Sequence, residues 1–427
     1  MIVDGQSMRS GRNNEPFTGI SYTSIKQAQL QTGGFSAKYG NVRSGLINVS
    51  TVDPPRDAYT VDVMGRYSPP QQKTFGGLPG LSNPDAYWID PFLPDEGVSQ
   101  SEDVAYVGTQ NGNWDQYTQN QYPTWQGWNT VSEGLMADDD PSNDLTPEQL
   151  IEVFEYRHRK DFDIQQPDYV MDGTIGGPVP GISSALGDLR FLASFRTVQQ
   201  AYPVPQQREA YENTTGRVKL ITNVSSGFKV RVEGMRNVET GIKAGNWTGD
   251  ANVWDGQNPI YPWNGNSGMI NAMGGDQRDG LFAWHFYNNT DIERTMLGGQ
   301  ITHTLSPNTF YTFNLQRQAT DYSTYRGERR SSECVREIGS VCLDEAPWGF
   351  VGSASQNSYS GLRLSGHWGK PKDSSDTKVW QSNFNLTSQL NEYNMLATGL
   401  EFIYNDLNMN FGDRKSTRLN SSHRLRS

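Results

Sequence analysis

The chain has two cysteines, Cys334 and Cys342, in 427 residues, too few for a scaffold built on disulfides. That pair could close one loop as a disulfide in an oxidising compartment or remain as two free thiols. Histidine is scarce too, at five: His158, His285, His303 and His367 are scattered without ligand spacing and His423 stands near the C-terminus, which excludes the usual zinc patterns. No run approaches the roughly 18 apolar residues of a membrane-crossing helix. A β-barrel escapes that exclusion, because its strands alternate and are never greasy in bulk. Charged residues are only 19 % and aromatics reach 11 %, the opposite of a disordered chain. A net charge of −11 without any basic stripe excludes general nucleic-acid binding. Enzyme signatures are missing as well. There is no Gly-x-Ser-x-Gly elbow, no phosphate-cradling loop and no His-Glu-x-x-His, so neither catalysis nor a cofactor is expected.

What the chain has is glycine (44), tyrosine (20), phenylalanine (17) and tryptophan (11), a composition for strands and elaborate turns. Apolar and polar residues alternate with period two from residue 58 onward. Phe228, Val230 and Val232 oppose Lys229, Arg231 and Glu233; Tyr59, Val61, Val63 and Tyr67 oppose Thr60, Asp62 and Arg66. Phe191 and Phe195 oppose Arg190 and Arg196, Trp380 and Phe384 oppose Gln381 and Asn383, and Leu400 and Phe402 oppose Glu401. With the runs near 169–177, 215–223, 295–305 and 309–317, the pattern predicts nine strands. Their connections are estimated at roughly 100, 11, 17, 4, 59, 3, 60 and 6 residues, long and short in turn. The short ones carry turn chemistry: Gly176-Gly177-Pro178, Ser225-Ser226-Gly227, Ser306-Pro307-Asn308 and Asn391-Glu392-Tyr393-Asn394. An antiparallel up-and-down meander, all-β, with tight turns at one end and long loops at the other, is how outer-membrane barrels are built. A β-sandwich also alternates, but has no reason to segregate its loop lengths, and Arg190, Arg196, Lys229 and Arg231 suit a wet lumen.

The first long connection predicts a helix from Thr146, with Thr146 as N-cap, Pro147 as the first helical residue and Gln149 as the reciprocal capping partner. The connections also hold most of the tryptophans. Trp114, Trp125, Trp128, Trp247, Trp254, Trp263 and Trp348 could stack on a sugar, a peptide or a planar chelate, or could simply pack the loops together. Asp138, Asp139, Asp140 and Asp144 are a Ca²⁺ candidate by ligand type, without the Gly and Glu spacing of a known loop; a solvated turn before a helix is the plainer reading.

Ahead of the first strand, Gly33, Gly34, Gly40 and Gly45 punctuate a unit whose core is supplied by Leu46, Ile47 and Val49. The stretch Gln29-Leu30-Gln31-Thr32-Gly33-Gly34-Phe35-Ser36-Ala37-Lys38-Tyr39-Gly40-Asn41-Val42-Arg43-Ser44-Gly45-Leu46-Ile47-Asn48-Val49 resembles the last part of the plug domain of TonB-dependent outer-membrane receptors. It is most similar to the Oar-like branch, whose members often begin with a carboxypeptidase-regulatory-like domain. Val3-Asp4-Gly5 resembles an earlier plug strand, and Gly176-Gly177-Pro178 the first periplasmic turn. The resemblance covers residues 1–51 and that turn. It implies plug sequence over 1–53 and barrel over 54–412, the first nine or so strands of about 22. It also implies outer-membrane lipid around the wall and a scarce nutrient, peptide or glycan as ligand. The TonB–ExbB–ExbD complex would act through a segment this chain lacks. Lys38 or Arg43 could form a plug-to-barrel ion pair with Asp62, and a plain surface charge is the equal alternative for each.

Both ends read as those of a piece. Met1 to Gly5 carries no export signal and starts inside a domain. Residues 413–427, opening Asp413-Arg414-Lys415-Ser416-Thr417-Arg418-Leu419-Asn420-Ser421-Ser422-His423, resemble a translated short-read sequencing adapter and are set aside. The competing readings are a secreted or surface β-sandwich that binds glycans or acts as an adhesin, and a β-rich glycoside hydrolase whose two carboxylates would leave no motif.

Overall fold

The computed structural model describes residues 1–12, 16–17, 19–33, 45–73, 81, 89–94, 102–109, 125–244, 282, 287–325, 327–345, 347–348, 358–359, 362–363 and 372–412. Two sheets organise it. The smaller has four strands: β1 (Ile2–Val3), β2 (Gln6–Ser7), β3 (Ile25–Gln31) and β4 (Leu46–Thr51), in the order β2-β1-β4-β3. β1 and β2 form a hairpin across Asp4 and Gly5, which adopt φ of +49° and +86°. An Asp-Gly pair tolerates that left-handed turn and sets the hairpin. β4 runs parallel to β1 and antiparallel to β3.

The larger sheet holds nine long strands in strict meander order: β5 (Thr60–Ser68), β6 (Asp168–Pro178), β7 (Arg190–Ala201), β8 (Ala210–Ser225), β9 (Phe228–Ala244), β10 (Tyr287–Ser306), β11 (Thr309–Tyr325), β12 (Asp376–Gln389) and β13 (Met395–Asn408). Every neighbouring pair is antiparallel, and the register shifts only beside two tight turns, between Asn223 and Ser225 in β8 and between Thr304 and Ser306 in β10. The all-β fold and the open antiparallel sheet match the alternation in the sequence. The tight turns fall where their chemistry put them, at Ser226-Gly227, Pro307-Asn308 and between Leu390 and Asn394. Gly176-Gly177-Pro178 is a correction: it ends β6, and the turn follows over 179–189. The strict alternation of loop lengths also fails, since 202–209 at the other end is shorter than 179–189. Strands β7 and β8 run on past their apolar patterns, to Ala201 and from Ala210, because backbone pairing continues after the apolar alternation stops.

The sheet is inside out relative to a soluble protein. Val61, Val63, Ile175, Phe195, Val218, Val232, Leu297, Leu315, Leu400 and Phe402 are exposed, Val63 by 80 % and Leu400 by 77 %. Register puts them on one face, as Val61 pairs Ile175, Ile175 pairs Ala193 and Ala193 pairs Val218. The other face is polar and, over the central strands, buried. It carries Asp172, Thr174, Arg217, Lys219, Glu233, Asn237, Arg294, Asn314 and Gln316. The small sheet lies against this polar face. Its apolar residues Val3, Met8, Phe17, Ile20 and Val49 pack on Met235 and Met296, the two apolar side chains the wall offers there.

Over the long-loop end sits a cap built from helices α1 (Glu102–Val107), α2 (Trp128–Met136) and α3 (Pro147–Arg157). A short hairpin, Arg336–Ile338 with Val341–Leu343, packs beside α3. α3 begins as predicted: Thr146 accepts from Gln149 N, and Gln149 reaches back to Thr146 N at 2.9 Å. Cys334 and Cys342 are joined in a disulfide beside the hairpin, with Cα atoms 5.4 Å apart. No helix among the described residues is long and apolar enough to cross a membrane.

Candidate functional site: the polar seat of the small sheet

Asp4 is the centre of the contact between the two sheets. The hairpin turn projects its carboxylate onto the inner face of β8 and β9, where alternate residues Arg217, Lys219, Arg231 and Glu233 converge. Arg217 Nη2 donates to Asp4 Oδ2 at 2.9 Å, Lys219 Nζ lies 3.5 Å from the same oxygen, and Arg231 Nη1 is 3.7 Å from Oδ1. From its own side, Thr51 N donates to Oδ1 at 2.9 Å and the Thr51 hydroxyl to Oδ2. Burial by itself would raise this carboxyl's pKa; Lys219, Arg217, Arg231 and the Thr51 hydroxyl overcome it and hold the group well below the ordinary carboxylate range. Arg217 also pairs with Glu233, and Arg231 with Gln300 and the Asp4 carbonyl.

The cluster continues toward the tight turns. Lys219 Nζ donates to Thr51 Oγ1 at 2.6 Å and to Val52 O at 2.9 Å. Lys229 lies 3.2 Å from Asp53, whose pKa burial would raise but Lys229 and Lys219 lower. Arg190 Nη1 donates to Pro54 O at 3.0 Å.

Two further polar anchors hold the small sheet's flanking chain. Asp172 accepts from Ser21 Oγ (2.6 Å), Tyr22 N (2.7 Å) and Thr23 Oγ1 (2.8 Å), while Arg196 lies over the Tyr22 ring. Gln316 exchanges two hydrogen bonds with the Ser7 backbone, at 2.8 and 2.7 Å. Higher up, Arg12 reaches Asp373 at 2.6 Å and stacks on Tyr322. Close approach is required at Gly298, where a Cβ would lie 2.8 Å from the Gln6 side chain. The arrangement fixes a four-stranded unit against a wall mainly through charge and hydrogen bonds, which water and ions can replace.

The expected site residues are distributed differently. Gly34, Phe35, Tyr39, Gly40, Arg43 and Lys38 lie outside the described residues, as do Trp114, Trp247, Trp254 and Trp263. Gly33 follows β3, Gly45 precedes β4, and Asn48 sits within β4 opposite Ile2. Asp62 is exposed on β5, and the ion pairs seen between the sheets belong instead to Asp4, Asp53 and Arg12. Trp125 and Trp128 are a correction to the stacking idea. They are 4 % and 0 % exposed and form the cap core with Phe92 and Phe154, at ring distances of 4.7–5.9 Å. Trp348 stays partly exposed with Arg159 stacked 4.4 Å from its ring. Asp138 and Asp140 close local turns by accepting from Asp140 N, Asn143 and Ser142. No acid cluster of metal-holding geometry occurs among the described residues, which corrects the Ca²⁺ candidate of Asp138, Asp139, Asp140 and Asp144. Sequence reasoning missed Asp4, Arg12, Asp172, Arg217 and Lys219; the Asp-Gly turn and the inward charges were the available signals.

No family model and no curated protein matches the chain. Among solved structures it is similar to the RagAB peptide importer in its closed-closed state, with 11 % identity and a TM-score of 0.40. That match covers 100 % of this chain and 44 % of the other, so the chain spans less than half the neighbour's length.

Proposed function

We propose that the chain supplies the plug and part of the wall of an outer-membrane receptor that imports a scarce nutrient in a TonB-dependent manner. One observation carries this reading: the nine-stranded sheet exposes its apolar face and buries its polar one under a small plug-like sheet. A soluble sandwich does the reverse, packing apolar faces together. Lipid is the solvent in which an apolar outer face and a polar lumen are both satisfied. About 10 tilted residues cross a bilayer core. β9 with 17 residues and β10 with 20 therefore rise beyond it, as a wall carrying an external cap would. Near the tight turns, Phe228, His303 and Tyr311 touch edge to face at 5.2 and 5.3 Å on the outer side, suiting an interfacial aromatic belt.

In this reading the cap and loops take up the solute, the small sheet closes the lumen, and import proceeds when the TonB complex draws that sheet from its seat. The role needs no covalent chemistry and no cofactor. The test is expression in a Gram-negative host behind an added export signal. Membrane-fraction recovery, faster gel migration before boiling than after, and loop cleavage by protease on intact cells are expected. Recovery as a soluble protein whose migration ignores boiling would overturn the reading in favour of a secreted sandwich.

A further inference from the structure

The wall side of the seat is a cation cluster held in check by a carboxylate that is not its own. Among the described residues, the wall contributes Arg217, Lys219 and Arg231 within reach of Asp4, against one carboxylate, Glu233. Arg190, Arg196 and Lys229 extend the same inner face, in a chain whose net charge is −11. The Nε atoms of Arg217 and Arg231 are buried without a hydrogen-bond partner, so the cluster holds donors beyond those Asp4 uses. Only Thr51 among the carboxylate's side-chain partners belongs to the small sheet; the rest stay on the wall if that sheet moves.

We infer that Asp4 is a tethered stand-in for a solute carboxylate, and that Arg217, Lys219 and Arg231 form a carboxylate-binding site once the small sheet leaves. The inference rests on the transport reading and specifies its solute class: molecules bearing a free carboxylate. A planar anion between two guanidinium groups and an ammonium is the geometry such groups recognise, and low local dielectric strengthens it. With the small sheet seated, Asp4 occupies the site. With it withdrawn, the wall presents a net excess of two positive charges to the route, solvated by water and open to an incoming carboxylate.

The test uses the full chain in detergent with Asp4→Gly, a substitution the φ of +49° accepts without strain. It leaves a gap the size of acetate. Acetate is expected to slow proteolysis of the small sheet in this variant about tenfold, while acetamide, neutral and of the same shape, does nothing. Adding Lys219→Met and Arg231→Met is expected to abolish the acetate effect. Dansyl-Ala-Ala as free acid is expected to bind Asp4→Gly at least about tenfold more tightly than its C-terminal amide. Equal effects of acetate and acetamide, or equal binding of acid and amide, would overturn the inference while leaving heat-modifiable migration, and with it the transport reading, intact. If Asp4→Gly does not fold, the unaltered chain is challenged with the dansyl acid. Faster small-sheet cleavage with acid than with amide supports the site; identical cleavage refutes it.

Discussion

The seat and the cap are attached to the same wall by opposite chemistry. The small sheet is held through Asp4, Asp53, Asp172, Arg12 and their partners, by ion pairs and hydrogen bonds to carboxylates, with Met235 and Met296 as its apolar contacts on the wall. The cap is held by Ile89, Phe92, Val104, Trp125, Trp128 and Phe154, packed in one cluster with Tyr202, Tyr211, Ile292 and Tyr322 of the upper wall and its loops. Opening the cap exposes aromatic surface that water does not reward. Lifting the small sheet exposes groups that water and ions solvate well. A molecule that must keep its loops ordered while releasing an internal plug would divide its contacts in this way.

Trp128→Ala should have the largest effect. The side chain is fully buried and its indole N–H donates to Phe92 O at 2.7 Å, so about 3–5 kcal/mol of cap stability should be lost. Limited proteolysis should then cut within 125–157 while the seat stays protected. Loss of both regions together would mean that they are one cooperative unit.

Asp4→Asn should cost the small sheet about 1.5–3 kcal/mol by removing charge-assisted bonds, and leave the cap unchanged. Acid should do the same reversibly. Because the folded Asp4 pKa is depressed, its stabilisation is complete above the unfolded value of about 3.9 and declines as pH falls from there toward the lower folded pKa. Proteolysis of the small sheet should therefore accelerate below about pH 4 in the unaltered chain and be flatter in Asp4→Asn. Thr146→Ala is the smallest step, about 1 kcal/mol from the lost N-cap of α3, read as a slightly lower cap melting temperature.

The sequence makes the wall legible because period-two alternation is a local property of each strand. Phe228 to Glu233 states which face is which before any partner strand is known. The N-cap at Thr146 is legible for the same reason, being settled within four residues. The seat is not local. Asp4 meets Arg217 across a separation of 213 residues, and Arg12 meets Asp373 across 361. Among many charged residues nothing marks those partners; the turn at Asp4-Gly5 indicates a hairpin but not what its carboxylate touches. Strand length was underestimated for a related reason, since β10 continues through polar Asn288, Asn289 and Thr290, where the ladder and not apolarity carries it. The tryptophans of the first loop looked like ligand platforms because sequence cannot distinguish a stacking aromatic from a packed one.

The central claim is the inverted sheet, and depth-sensitive quenching tests it most directly. Both native cysteines are joined to each other, so single cysteines introduced at Val232, Leu297 and Leu315, and in turn at Lys219, Gln316 and Asn383, can carry one fluorophore each. In bilayers of brominated lipid the first three should be strongly quenched and the last three should not, strand by strand in alternation. Equal quenching on the two faces, or quenching confined to the polar face, would contradict the account.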